Sequence, residues 1–166
     1  MVRYFRSMLA FMVLFALITP EPAVAQQHTD MPETKSAAPY HPGLGELMTA
    51  FVQPHHIKLG LAGNEQNWRY ATFELGELTE ALDDIAELVP KHDNLPIPEM
   101  IASTVKPPME ALDAAIKAMD KAAYTKAYAD LTASCNACHQ RANHPEIVIQ
   151  VPTVSSFPDQ DFRAQK

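Results

Sequence analysis

The chain has 166 residues, with 13 Lys+Arg against 20 Asp+Glu and a formal net charge of −7. That balance speaks against a nucleic-acid binder and against a protein drawn to anionic lipid, both of which need a basic face. Two cysteines in this length exclude a disulfide-stapled scaffold, so a hydrophobic core has to hold the fold.

Residues 1–25 read as an address. Arg3 and Arg6 precede an uncharged apolar run from Met8 to Ile18, and Ala23-Val24-Ala25 has the small-x-small pattern that predicts signal-peptide cleavage after Ala25. No arginine pair precedes the run, which predicts export in the unfolded state and not by the twin-arginine route. The segment carries Arg3, Arg6 and Glu21, so the remaining 141 residues hold 11 Lys+Arg against 19 Asp+Glu, a net of −8. A chain of that size makes one domain with a core of its own.

Residues 26–42 contain Pro32, Pro39 and Pro42 among scattered polar side chains and predict a flexible lead-in. From Leu44 to Ala62 apolar residues recur at helical spacing, with Gly63-Asn64 as a stop. Pro54 lies inside this first helix, removes the bond to the Ala50 carbonyl and predicts a kink. The second helix is marked by Trp68, Ala71, Leu75, Leu78, Leu82, Ile85 and Val89, with Asn67 as N-cap and Pro90 as terminator. Its other face carries Glu74, Glu77, Glu80, Asp83, Asp84 and Glu87, the pattern of a solvated face.

Residues 91–98 read as a loop. Met100, Ile101 and Val105 begin a third helix that Pro107-Pro108 interrupts, and Met109, Leu112, Ile116 and Met119 resume it, the methionines serving as core filler. The last helix runs from about Asp120 to Ala142, with Tyr124, Ala127, Tyr128, Leu131, Cys135, Cys138 and Ala142 on one face. Four amphipathic helices with short connections predict an all-α fold, an antiparallel four-helix bundle over residues 43–144. Residues 145–166 form a tail whose Ile147-Val148-Ile149-Gln150-Val151-Pro152, Phe157 and Phe162 present enough apolar surface that it is expected to lie along the bundle, with a disordered end as the bland alternative.

The chemistry-bearing stretch is Cys135-Asn136-Ala137-Cys138-His139, which holds both cysteines of the chain. Two thiols three residues apart, followed at once by an imidazole, is the spacing by which c-type haem is attached: each sulfur adds to one vinyl group and the histidine binds the iron axially. A thioredoxin-like redox pair would need a strand and a βαβ context, but the lead from Ala122 to Ala133 is alanine-rich and helical. A zinc site from Cys135, Cys138, His139 and His144 lacks the second spaced pair of a structural zinc module. A plain Cys135–Cys138 disulfide is the bland alternative. The phase of the last helix puts both cysteines on the apolar face, so an attached haem would be clamped against the interior.

With this motif on the final helix of a bundle, the chain resembles the cytochrome c′ class. The stretch His56-Ile57-Lys58-Leu59 through Ala62-Gly63, then Asn67-Trp68 and Glu74-Leu75-Gly76-Glu77-Leu78, is similar to a group of small exported bacterial cytochromes of this architecture. The resemblance spans roughly Leu44 to Phe162, and its one highly specific element is the haem motif. It implies one covalent haem c on Cys135 and Cys138, with His139 as the proximal iron ligand. No methionine follows Met119, so a sixth ligand has to come from earlier in the chain. Counting about 100° per residue from Leu44 nominates Met48 or His55. The resemblance nominates His56 instead, and an open sixth position is the third alternative.

The function expected on these grounds is a periplasmic carrier of single electrons between protein partners, not an enzyme. Its acidic surface suits a partner with a basic docking patch, with no nucleic acid and no membrane after signal cleavage; a homodimer is compatible with the reading. The alternative is a five-coordinate haem module that binds nitric oxide or carbon monoxide.

Overall fold

The computed structural model describes residues 40–165. The expected signal peptide with cleavage after Ala25, and most of the expected lead-in, fall outside the described residues. What is described is mostly helical, as an all-α fold requires, with one two-stranded ladder of minimal length.

The first helical run opens with α1 (Leu44–Leu47), passes through a π-helical turn (Met48–Val52) and continues as α2 (Gln53–Asn64). Pro54 stands in the first turn of α2, so the wider i→i+5 turn falls just ahead of the proline that cannot donate to the ladder. Gly63-Asn64 was expected as a stop, and α2 does end at Asn64, but Gly63 is buried within the helix. The left-handed residue of the turn is Gln66, at φ 55°, with Asn67 N–H bonded to the Ala62 carbonyl at 2.9 Å. The glycines of α2 have a packing role: a Cβ on Gly63 would enter the Tyr124 ring, and one on Gly60 would meet the Tyr128 hydroxyl at 2.5 Å. Into that space the two tyrosines reach, Tyr124 donating to the Leu59 carbonyl and Tyr128 to the His56 carbonyl, each at 2.6 Å.

Helix α3 (Trp68–Leu88) is capped by the Asn67 side chain, which accepts from Tyr70 N–H at 3.2 Å. It buries Leu75, Leu78, Leu82 and Ile85, as its period predicts. One member of its acidic row departs from expectation: Glu74 is buried at 1 % exposure, because the spacing that carries Ala71, Leu75 and Leu78 inward also carries residue 74. The expected loop at residues 91–98 contains a tight hairpin, β1 (Lys91–His92) against β2 (Leu95–Pro96), turned by Asp93 and Asn94 at φ 47° and 66°. Asp and Asn tolerate that left-handed conformation, which a two-residue hairpin turn needs twice.

Helix α4 (Ile97–Thr104) and helix α5 (Lys106–Lys117) are separated at Val105, and Pro107 sits in the first turn of α5, so the expected interruption is present. Met100 and Met109 fill the core as expected, but Met119 is 66 % exposed, because it turns left-handed at φ 53° beyond the end of α5. Helix α6 (Lys121–Arg141) is capped by Asp120, whose carboxylate accepts from the N–H groups of Ala122 and Ala123. Its Lys121 ammonium donates to the carbonyls of Gly63 and Asn64 at 2.9 and 3.1 Å, placing a cation on the carbonyl end of α2.

The broadest helix contacts are α2 with α3 and α5 with α6, and α4 touches both α3 and α6. Leu59, Leu78, Ile85, Met100, Leu112, Tyr124 and Leu131 are the most deeply buried members of one core. The tail runs back over these helices: Phe162 is buried, its carbonyl accepts from the Asn67 amide at 3.2 Å, and the Gln160 amide reaches the Tyr70 hydroxyl. Among the described residues no helix is long and apolar enough to cross a membrane.

Candidate functional site

Cys135 and Cys138 lie in the last two turns of α6, unbridged and half-buried, on the face that carries Tyr128 and Leu131 inward. With His139 they line a cavity of about 730 Å³, within the roughly 300–1,000 Å³ typical of a small-molecule or cofactor site. Leu44, Met48, Val52 and His56 of the first helical run, Leu78 and Leu82 of α3, and Met100, Ile101 and Val105 from α4 and its end supply other parts of the wall. The tail supplies more, from Ile147 to Val154. The wall is therefore mostly apolar, its polar members being the motif, a few histidines, Thr49 and Gln53 of the first helical run and some side chains of the tail.

Burial pushes the Cys135 thiol up to about 11, with Cys138 beside it adding to the effect, and burial also raises Cys138 against the pull of Arg141. A redox pair of the thioredoxin kind needs a depressed thiol, commonly at a helix N-terminus, whereas these two stand at the carbonyl end of α6. Their raised thiols therefore do not match a redox couple of that kind.

His139 Nδ1 is 3.0 Å from the Ile147 carbonyl oxygen. A carbonyl can only accept, so Nδ1 carries the hydrogen and Nε2 keeps the lone pair. A histidine that ligates a metal is held in this way, its other nitrogen donating to a backbone or carboxylate oxygen that sets tautomer and ring orientation. The partner here is the tail, and its position is secured next door by Asn136. The Asn136 side chain donates to the Ile149 carbonyl at 2.9 Å and accepts the Ile149 N–H at 2.7 Å, imitating a strand partner inside the motif.

The three nominees for a sixth ligand fall in different places. His55 is outside the cavity, with Nδ1 at 2.7 Å from the buried carboxylate of Glu74. Met48 and His56 both line the cavity, and His56 is 4 % exposed. Of the two residues the face count nominates, Met48 lies on the cavity and His55 does not: the π turn holds more residues than an α turn, so every position after Val52 lags the extrapolated phase. The His56 ring contacts α6 through Tyr128 Oη at 3.1 Å from Nδ1 and Thr132 Oγ1 at 3.1 Å from Nε2. Burial alone lowers its basicity to about 4, so it is neutral at pH 7.

His144 of the zinc alternative pairs with Glu146 at 2.9 Å. Among the described residues no three or more His, Cys, Asp or Glu side chains converge as a cage for a bare ion. The donor set that is assembled, two thiols and a histidine with a free Nε2 on one apolar cavity, fits a covalent haem with an axial imidazole. Comparison with protein-family models, with curated proteins and with solved structures found no match for this chain. Residue-level reasoning on the sequence missed Asn136, Tyr128 and Thr132 as parts of the site, since each acts across more than ten residues of chain. The one local trace was the β-branched run from Ile147 to Ile149, which marks a segment able to pair like a strand.

Proposed function

We propose that this chain is a periplasmic monohaem c-type cytochrome, a four-helix bundle that carries single electrons between protein partners. The observation that supports the reading is the contact of His139 Nδ1 with the Ile147 carbonyl, which leaves Nε2 with its lone pair on a histidine that lines the same cavity as Cys135 and Cys138. Cys135 and Cys138 would hold the haem by thioether bonds and His139 would be the proximal ligand, with His56 as the sixth. When bound, the haem supplies one-electron chemistry at its iron. The chain's own contribution is to exclude water with the apolar wall, to keep the cofactor from diffusing away in an open compartment, and to fix the His139 ring. The reading makes the protein a carrier and not a catalyst.

A second reading draws on the 3.1 Å contact between His56 Nε2 and Thr132: a histidine whose nitrogens are both engaged by α6 leaves the iron five-coordinate and able to bind nitric oxide or carbon monoxide. The optical spectrum separates the two, a low-spin haem indifferent to carbon monoxide favouring transfer and a high-spin haem that takes it up favouring gas binding.

The test is expression with haem-maturation machinery. Denatured wild-type protein should keep its pigment through acid extraction, and the Cys135→Ala, Cys138→Ala double variant should lose it. His139→Ala should retain covalent pigment with an altered spectrum. Release of all haem from denatured wild-type protein sinks the reading.

A further inference from the structure

We propose that Tyr128 is the positioning residue of the sixth ligand: its hydroxyl holds His56 in the Nδ1–H tautomer and so makes Nε2 the lone pair the ring offers. This rests on the reading above and deepens it.

The hydrogens around His56 decide the tautomer. Tyr128 Oη is 2.6 Å from the His56 carbonyl oxygen and 3.1 Å from His56 Nδ1. A phenol has one hydrogen and a carbonyl has none, so the short contact takes the phenolic hydrogen. Nδ1 then faces an oxygen with lone pairs only, and the contact is favourable when the ring donates. On the other side Thr132 Oγ1 is 3.0 Å from the Tyr128 carbonyl and 3.1 Å from Nε2. Residues 128 and 132 are both inside α6, so that carbonyl already accepts the Thr132 backbone N–H. The Thr132 hydroxyl can therefore turn to Nε2 without leaving an orphan. With the hydrogen on Nδ1 three of these contacts are donor to acceptor, and the Tyr128 carbonyl that gives up the Thr132 hydroxyl keeps its backbone donor; with it on Nε2, Nδ1 faces the Oη lone pairs and is left without a donor in a buried site.

The backbone is arranged for this contact. Gly60 lies one turn after His56, and its missing Cβ is the space in which the Tyr128 hydroxyl sits. The two rings lie 4.9 Å apart, tilted by 34°, so the imidazole is held by a face as well as an edge. His139 is held by the same device, with the Ile147 carbonyl in place of the phenol. His56 and His139 thus both carry their hydrogen on Nδ1, and Nε2 of His56 is tied only to a hydroxyl that has a second acceptor.

Tyr128→Phe in the haem-loaded protein tests this, since it removes one oxygen and keeps the ring. Wild-type protein is expected to be low-spin, with a slowly exchanging His56 Nδ1–H in the nitrogen–proton spectrum of the ferrous state. Tyr128→Phe should raise the high-spin fraction and strengthen carbon monoxide binding about tenfold or more, and should change neither further in a His56→Ala background. A merely structural tyrosine would lower the unfolding temperature and leave the spin state alone. A low-spin Tyr128→Phe protein with unchanged carbon monoxide binding overturns the proposal when His56→Ala is high-spin, and so does a wild-type spectrum showing His56 protonated on Nε2. If His56→Ala leaves the wild-type spectrum unchanged, or the chain takes up no covalent haem, the assignment of His56 or the cytochrome reading itself fails, and Tyr128 falls with it.

Discussion

His55 and His56 are adjacent in the chain and meet opposite environments, one on a carboxylate and one in the cavity wall. His55 is partly open to water, at 21 % exposure, while the Glu74 carboxylate it contacts is at 1 %. The buried member is the one that suffers when the pair is broken, because it is left without its partner in a place water reaches poorly. His55→Ala should therefore lower stability by about 1–3 kcal/mol, read as a fall in the urea midpoint, while, on the cytochrome reading proposed above, the haem absorbance stays as in wild type. A midpoint within error of wild type would show that Glu74 needs no partner. The same residue-scale logic applies to the cysteines, whose burial-raised thiols are unlike the depressed thiol of a reactive redox couple.

At the scale of elements, the close approach of α2 and α6 depends on glycines that the helix itself would sooner do without. In Gly63→Ala the gain in helix propensity, about 1 kcal/mol, competes with a Cβ driven into the Tyr124 ring. Overpacking costs about 1–3 kcal/mol, so the unfolding temperature should fall. Gly76→Ala, inside α3 with nothing near its added Cβ, should raise it. If both variants move the same way, the close packing of α2 on α6 does not carry the weight assigned to it. The tail is held by polar latches at Asn136 and Asn67 and by the buried Phe162. Beside Phe162, the Arg163 guanidinium on Asp161 holds that carboxyl down at about 2. A carboxyl lowered on folding contributes only while it is ionised, so its contribution is full above the ordinary value near 3.8 and is lost as pH falls toward 2. A carboxyl-carbon NMR titration should show that low midpoint, and Arg163→Ala should return it to the ordinary range.

For the molecule as a whole, charge sets what it meets. On the proposed carrier reading, a net of −8 on residues 26–166 predicts that electron exchange with a basic partner slows as salt rises and the Debye length shrinks from roughly 30 to 8 Å. Stopped-flow rates at increasing ionic strength measure this, and a rate indifferent to salt rules out acidic docking. The exposed members of the α3 acidic row, Glu80, Asp83, Asp84 and Glu87, are the densest part of that charge and the first place to neutralise if the slope is found.

The sequence by itself determined the helical spans, an interruption next to Pro107-Pro108, which falls at Val105, and the placing of both cysteines on the inward face of the last helix. Each is written in neighbours three or four apart, where the geometry of one helix is sufficient. Only the tertiary structure decided which histidine reaches the cavity, because a π turn ahead of Pro54 shifts the phase of everything after it. It alone placed Glu74 inside, gave Gly63 to Tyr124, and brought the Ile147 carbonyl and the Tyr128 hydroxyl to the two histidines. Those contacts join residues eight to seventy-two positions apart, and what sets them is the packing of helices and tail against one another, which no local period encodes.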